Sequence, residues 1–171
     1  MPTNGRTRLI PARNPADEWR VARTVGRLLG GVVVALGVVA LVGWALERRA
    51  LTELGTASSL KANSAICLIA LGAAVMLMGT DHQRLRTVLE FAAAVVATAT
   101  IVEHLRSRSL GIDELLFDDR FSPIGAAGRM SLGACIALAL AAIGLLGLDS
   151  LRRTVRVAAQ IPLLGAGAIG L

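Results

Sequence analysis

Tyrosine is absent from this 171-residue chain, and Phe and Trp together bring the aromatic share to only 3%. Any aromatic belt at a membrane surface is therefore thin, with Trp19, Trp44 and Phe91 as its few candidates. Cysteine is nearly absent too. Cys67 and Cys135 each lie inside an apolar run, with no CxxC or Cys/His spacing, so neither a disulfide framework nor a structural metal site is indicated. Both read as small buried hydrophobes. Charged residues make up 18%, against about a quarter in an ordinary soluble domain. No nucleic-acid motif, phosphate loop, catalytic triad, HExxH or EF-hand spacing occurs. Nucleic acid, metal, cofactors and enzymatic activity are therefore not expected of this chain.

What the chain does have is long uncharged apolar stretches. It is 54% hydrophobic, with a mean hydropathy of +0.65. Apolar runs fall at 28–46, 62–79, 87–105, 130–148 and 157–171, separated by short charged clusters. Nineteen helical residues cover about 28 Å, close to the hydrocarbon thickness of a bilayer. The first run is too long for the apolar region of a cleavable signal peptide and reads as a retained span. Asp17 and Glu18 suit the first turn of a helix that continues through Arg20, Arg23 and Arg27 into the first run. The sequence thus predicts an all-α integral membrane bundle. Residues 1–24 form a basic tail and 25–171 the membrane domain, with 106–129 as a long outer loop.

Basic residues orient the spans. Eleven Lys or Arg fall on the side of the N-terminus and seven on the other, which predicts a cytoplasmic N-terminus. The fifth run contains Pro162 and reaches Leu171 without a polar flank, so the expectation is four full spans plus a truncated fifth. An internal repeat supports hairpin organisation. SLKANSAICLIALGAAVMLMGTDHQRLR lies beside GRMSLGACIALALAAIGLLGLDSLRR at an offset of about 70 residues. Each has a polar entry, a small-residue first turn, an Ala/Leu-rich run, then Gly, Asp and basic residues. Gly30, Gly31, Gly37, Gly43, Gly72, Gly144 and Gly147 dot the spans, where small residues let helices approach closely.

One stretch is more specific. Glu103 is followed by Leu110-Gly111-Ile112-Asp113-Glu114-Leu115-Leu116-Phe117, and then Gly128-Arg129-Met130-Ser131 opens a span. This resembles the N-terminal membrane input region of bacterial sensor histidine kinases and diguanylate cyclases. Those regions carry E…G-I-D-x-L-L-F…G-R-M-S-P-N-T-A-L and repeat the P-N-T-A-L helix start in successive hairpins. The resemblance covers about residues 28–171. Asn63-Ser64-Ala65-Ile66 keeps the polar helix start in the first repeat, whereas Leu132-Gly133-Ala134-Cys135 replaces it in the second. The resemblance implies a multi-pass protein of the bacterial inner membrane that works as a homodimer. It also implies a downstream PAS, kinase or GGDEF domain in the same polypeptide.

Candidate sensing residues follow. Glu103 and His104 stand at the end of a span, where ionisable groups are costly and His titrates near neutrality. Two readings compete there: solvated groups at the outer headgroup boundary, or groups with a role in packing or sensing. Ile112, Leu115 and Leu116 recur at helical spacing, so 110–121 reads as a short surface helix with Asp113 as N-cap and Glu114 beside it. Such a helix would cover a pocket between spans. Asn63 is the matching polar residue of the first repeat. Glu90 is expected to pair locally with Arg84 or Arg86. The leading functional expectation is a signal-input region. The alternatives are a small transporter or channel subunit, which would want charges at mid-span, and a passive anchor, which needs no patterned outer loop.

Overall fold

The computed structural model describes residues 15–53, 59–106 and 130–148. Among these, every regular element is a helix: α1 (Pro15–Ala45), α2 (Arg49–Glu53), α3 (Ala62–Met76), α4 (Gln83–Arg106) and α5 (Leu132–Leu148). Two are long and apolar enough to cross a membrane, α1 over Trp19–Ala45 and α4 over Gln83–Arg106. The 15 residues of α3 and 17 of α5 give lengths of about 22 and 25 Å, short of a full bilayer core.

Helix boundaries have local causes. α1 begins well before the apolar run because Arg20, Arg23 and Arg27 are good helix formers on an exposed surface. It ends in a Schellman motif. Arg48 N–H donates to Gly43 O at 2.8 Å and Glu47 N–H to Trp44 O at 3.2 Å, with Glu47 left-handed at φ 52. α3 stops at Met76, three residues short of the expected 79. Gly79 takes φ 71 in the turn to α4, where Thr80 Oγ1 donates to Leu77 O at 2.7 Å. α4 starts at Gln83 rather than 87, so the basic cluster forms its first turn. α5 starts at Leu132 because Ser131 is its cap: Ala134 N–H donates to Ser131 Oγ at 3.2 Å.

α3 is the central helix, touching α1, α4 and α5. Its burial is correspondingly broad, from Ala62 through Ala74. α1 and α3 run antiparallel and meet at glycines. A Cβ on Gly30 would stand 2.7 Å from Gly72 O, and one on Gly37 would stand 2.8 Å from Ala65 O. Gly43 serves the α1–α2 corner, where its Cβ would meet Leu51 Cβ at 2.7 Å. Gly31 faces away from this seam. α4 packs antiparallel to α3 and α5 with a stripe at heptad-like spacing: Arg86, Glu90, Ala93, Ala97, Thr100 and Glu103 are all buried. Small alanines in its middle let Cys67, Leu71, Cys135, Leu138 and Ala142 close around it as one core.

The outward faces are apolar. On α1, Leu28 is 66% exposed and Val32 57%; on α4, Val88 and Phe91 are each 62% exposed. A soluble monomer rarely leaves so much contiguous apolar surface in water. The expected fifth run, 157–171, lies outside the described residues, as do the tail 1–14 and the loop 107–129.

Candidate functional site

The up-and-down order of the helices gathers polar residues at two ends of the bundle. One end holds the α3–α4 turn. There Arg86 Nε lies 3.1 Å from Glu90 Oε1, one turn along α4, and both side chains are buried. Glu90 therefore pairs with Arg86, the expected local ion pair, and Arg84 points outward. Arg23 of α1 packs on this turn: a Cβ on Gly79 would be 3.0 Å from its guanidinium carbon. The basic extension of α1 is thereby held against the hairpin.

The opposite end is richer. Trp44 is 4% exposed, and its Nε1–H donates to Leu60 O at 2.8 Å. Lys61 Nζ sits 5.9 Å from the Trp44 ring centroid, within cation–π range. Thr52, fully buried, donates from Oγ1 to Arg49 O at 2.8 Å. Asn63 and Ser64 are buried in the first turn of α3. On α4, Thr100 donates to Val96 O at 3.1 Å, and Glu103 is 0% exposed.

Glu103 and His104 differ from the solvated pair that a headgroup position implies. Glu103 continues the buried stripe of α4, three residues beyond Thr100. His104 is half-buried, and its Nε2 lies 2.8 Å from Met130 O. A carbonyl only accepts, so Nε2 carries the proton in this contact. Met130 is itself 1% exposed, and its carbonyl also receives the weaker Cys135 Sγ contact at 4.0 Å. His104 of α4 and Cys135 of α5 thus meet at the Met130 carbonyl, just before α5 begins. The sequence reading named Met130 only within the Gly128–Ser131 span start, and it did not single out Thr100 or Thr52. Their signal was spacing: Thr100 and Glu103 fall in register with Ala93 and Ala97.

Asn63 stands at this same end of the bundle, on the neighbouring helix. Asp113 and Glu114 lie outside the described residues, so the proposed surface helix is not placed against the cluster. Among the described residues, no group of three or more His, Cys, Asp or Glu is arranged to hold a metal ion.

A second feature is an apolar cleft of about 370 Å³, open to the surface between α1, α3 and α5. Leu29 and Val33 form one wall, Leu68 and Val75 the floor, and Leu138 and Leu145 the other wall. The cleft exists because α1 and α5 both lean on α3 without packing on each other. Comparison with protein-family models, curated proteins and solved structures finds no match to this chain.

Proposed function

We propose that this chain is the membrane-embedded signal-input region of a bacterial signal-transduction protein. In this reading α1, α3, α4 and α5 all cross the inner membrane, with 157–171 as part of a fifth span. The N-terminus and the Arg86–Glu90 end face the cytoplasm. Its partners are the lipid bilayer, a second copy of the chain and a downstream PAS, kinase or GGDEF domain.

Topology favours four crossings. α1 and α4 are the two long apolar helices, and both are antiparallel to α3. For α1 and α4 to run the same way through a bilayer, α3 must return between them. Its 15 residues are short for that task, and local thinning or tilt of its neighbours accommodates the mismatch at modest cost.

The main support for an input role is the α4–α5 joint. Glu103, fully buried, and His104 stand where α4 enters loop 107–129, and His104 bonds to the Met130 carbonyl where the chain leaves that loop. A passive anchor has no use for a carboxyl group enclosed by protein at the end of a span. A transport path fits less well, because alanines separate the polar groups at the two ends of α4. In this reading, angstrom shifts of α5 against α4 at this joint bias a distant output.

The test uses the full-length polypeptide in its native membrane, with kinase or cyclic-dinucleotide output measured for His104→Gln and Glu103→Gln. The reading expects output changed at least several-fold at equal membrane levels. Unchanged output in both variants refutes an input role for the joint, and a gene encoding no signalling domain beyond Leu171 refutes the reading as a whole.

A further inference from the structure

We propose that the Arg84 end of α4 is a binding site for an anionic glycerophospholipid of the cytoplasmic leaflet; the proposal rests on the membrane reading above. Gln83, Arg84, Thr87, Val88 and Phe91 line a surface cavity of about 620 Å³. Its chemistry changes along the helix as a lipid does. Arg84 stands at the head, and Val88, Phe91 and Val95 follow at steps of four, three and four, all on the exposed face. Phe91 and Val88 are each 62% exposed and Val95 50%. An acyl chain lying along this stripe removes that surface from contact with polar groups.

Arg84 supplies the headgroup contact. Arg86, two residues on, is turned inward to Glu90, so its charge is used inside the bundle. Arg84 is exposed and makes no ion pair among the described residues. A guanidinium matches a phosphodiester with two parallel N–H donors, and the Gln83 amide adds a neighbouring donor. The Thr87 hydroxyl proton is occupied on Gln83 O at 3.0 Å, so Thr87 shapes the cavity and does not donate to the phosphate. Selection for a net negative lipid comes from the surroundings. Arg20, Arg23 and Arg27 lie on the same end of the bundle, and Arg23 packs directly on the turn that leads into Gln83. Each such basic residue near a membrane surface favours an anionic lipid by about five-fold.

The site is tested with the full chain carrying a benzophenone side chain at Val88, reconstituted in phosphatidylcholine vesicles with phosphatidylglycerol as the minor lipid. The expected result is cross-linking to phosphatidylglycerol well above its share. Arg84→Gln lowers that enrichment about five-fold, Arg84→Lys keeps most of it, and inorganic phosphate does not compete. Cross-linking in proportion to lipid composition overturns the proposal. So does cross-linking to a second copy or to residues 149–171, which would mean that protein covers this face, and so does competition by free phosphate. Flotation of the same vesicles separates the two readings: protein that floats without enrichment sinks only the lipid site, whereas protein that fails to float sinks the membrane reading with it.

Discussion

Replacing Gly30 with alanine sets two effects of similar size against each other. Alanine gains about 1 kcal/mol of helix propensity over glycine. The new Cβ, however, stands 2.7 Å from Gly72 O, 3.0 Å from Met76 Cγ and 3.4 Å from Met76 N. The first of these is backbone, which cannot rotate away. Ordinary contact begins near 3.4 Å, so α1 and α3 must separate by about 0.7 Å along this line. Such overpacking costs about 1–3 kcal/mol, and separation loosens dispersion contacts along the whole seam. The net expectation is a loss of about 1 kcal/mol. Gly31→Ala is the internal control. Its Cβ would meet only Met76 Sδ at 4.0 Å, so the propensity gain stands alone and stability rises or stays level.

The same close approach is built from both sides. A Cβ on Gly72 would stand 2.8 Å from Gly30 O. Once the helices have parted for one alanine, the second fits at little further cost, so the two substitutions are not additive. The double variant is expected to lose about 1 kcal/mol less than the sum of the singles. Equilibrium unfolding in mild detergent titrated with sodium dodecyl sulfate measures this, followed by Trp44 fluorescence. Trp19 is 75% exposed and is changed to Phe to leave one buried reporter. Gly30→Ala as stable as Gly31→Ala, or strict additivity of Gly30→Ala and Gly72→Ala, refutes the glycine seam.

Two further outcomes follow from the core. Arg86→Met leaves the Glu90 carboxylate buried without its partner guanidinium and is expected to lose about 3 kcal/mol in the same assay, whereas Arg86→Met with Glu90→Leu recovers most of it; a loss below about 0.5 kcal/mol in the single variant contradicts a buried pair. Cys67 and Cys135 are both 0% exposed, so maleimide labelling requires unfolding by sodium dodecyl sulfate, and rapid labelling of the folded chain contradicts the packing of α3 and α5 around α4.

The four longer helices were legible in the sequence because each contains a long apolar run with few other folds available; α2, inside a short charged cluster, was not. Their ends were less so. The basic residues at 84–86 look like a span boundary, yet arginine is a good helix former and α4 begins at Gln83; at 20–27, by contrast, the sequence already read as a helix entering the first run. The end of α3 turned on Gly79 and its left-handed φ, which hydropathy does not report. The seven glycines looked alike in sequence. Packing separates them, since Gly30, Gly37 and Gly72 meet a facing backbone and Gly31 does not. Glu103 was harder still. A carboxylate at a span end ordinarily reaches water, and only the spacing of Arg86, Glu90, Ala93, Ala97 and Thr100 places it on the inward stripe.

The repeat acquires a physical meaning in the same register. Cys67 of α3 and Cys135 of α5 are 68 residues apart, and that offset also aligns Asn63 with Ser131 and Gly79 with Gly147. Both cysteines are buried in one core around α4, one directed at Ala93 O and the other at Met130 O. The two repeat helices are therefore equivalent in sequence and grip the same helix from two sides. They are not equivalent in burial: α3 is covered by α1 as well, while Ile143 of α5 is 52% exposed. α4 thus sits between a wall backed by α1 and one with a more exposed outer face. Its middle meets the two walls through Ala93 and Ala97, with Leu89, Ala94, Val96 and Ile101 beside them, and the His104–Met130 contact ties its end to the chain entering α5. The seam between α4 and α5, with the His104–Met130 contact at its loop end, is what the His104 and Glu103 variants are designed to bias.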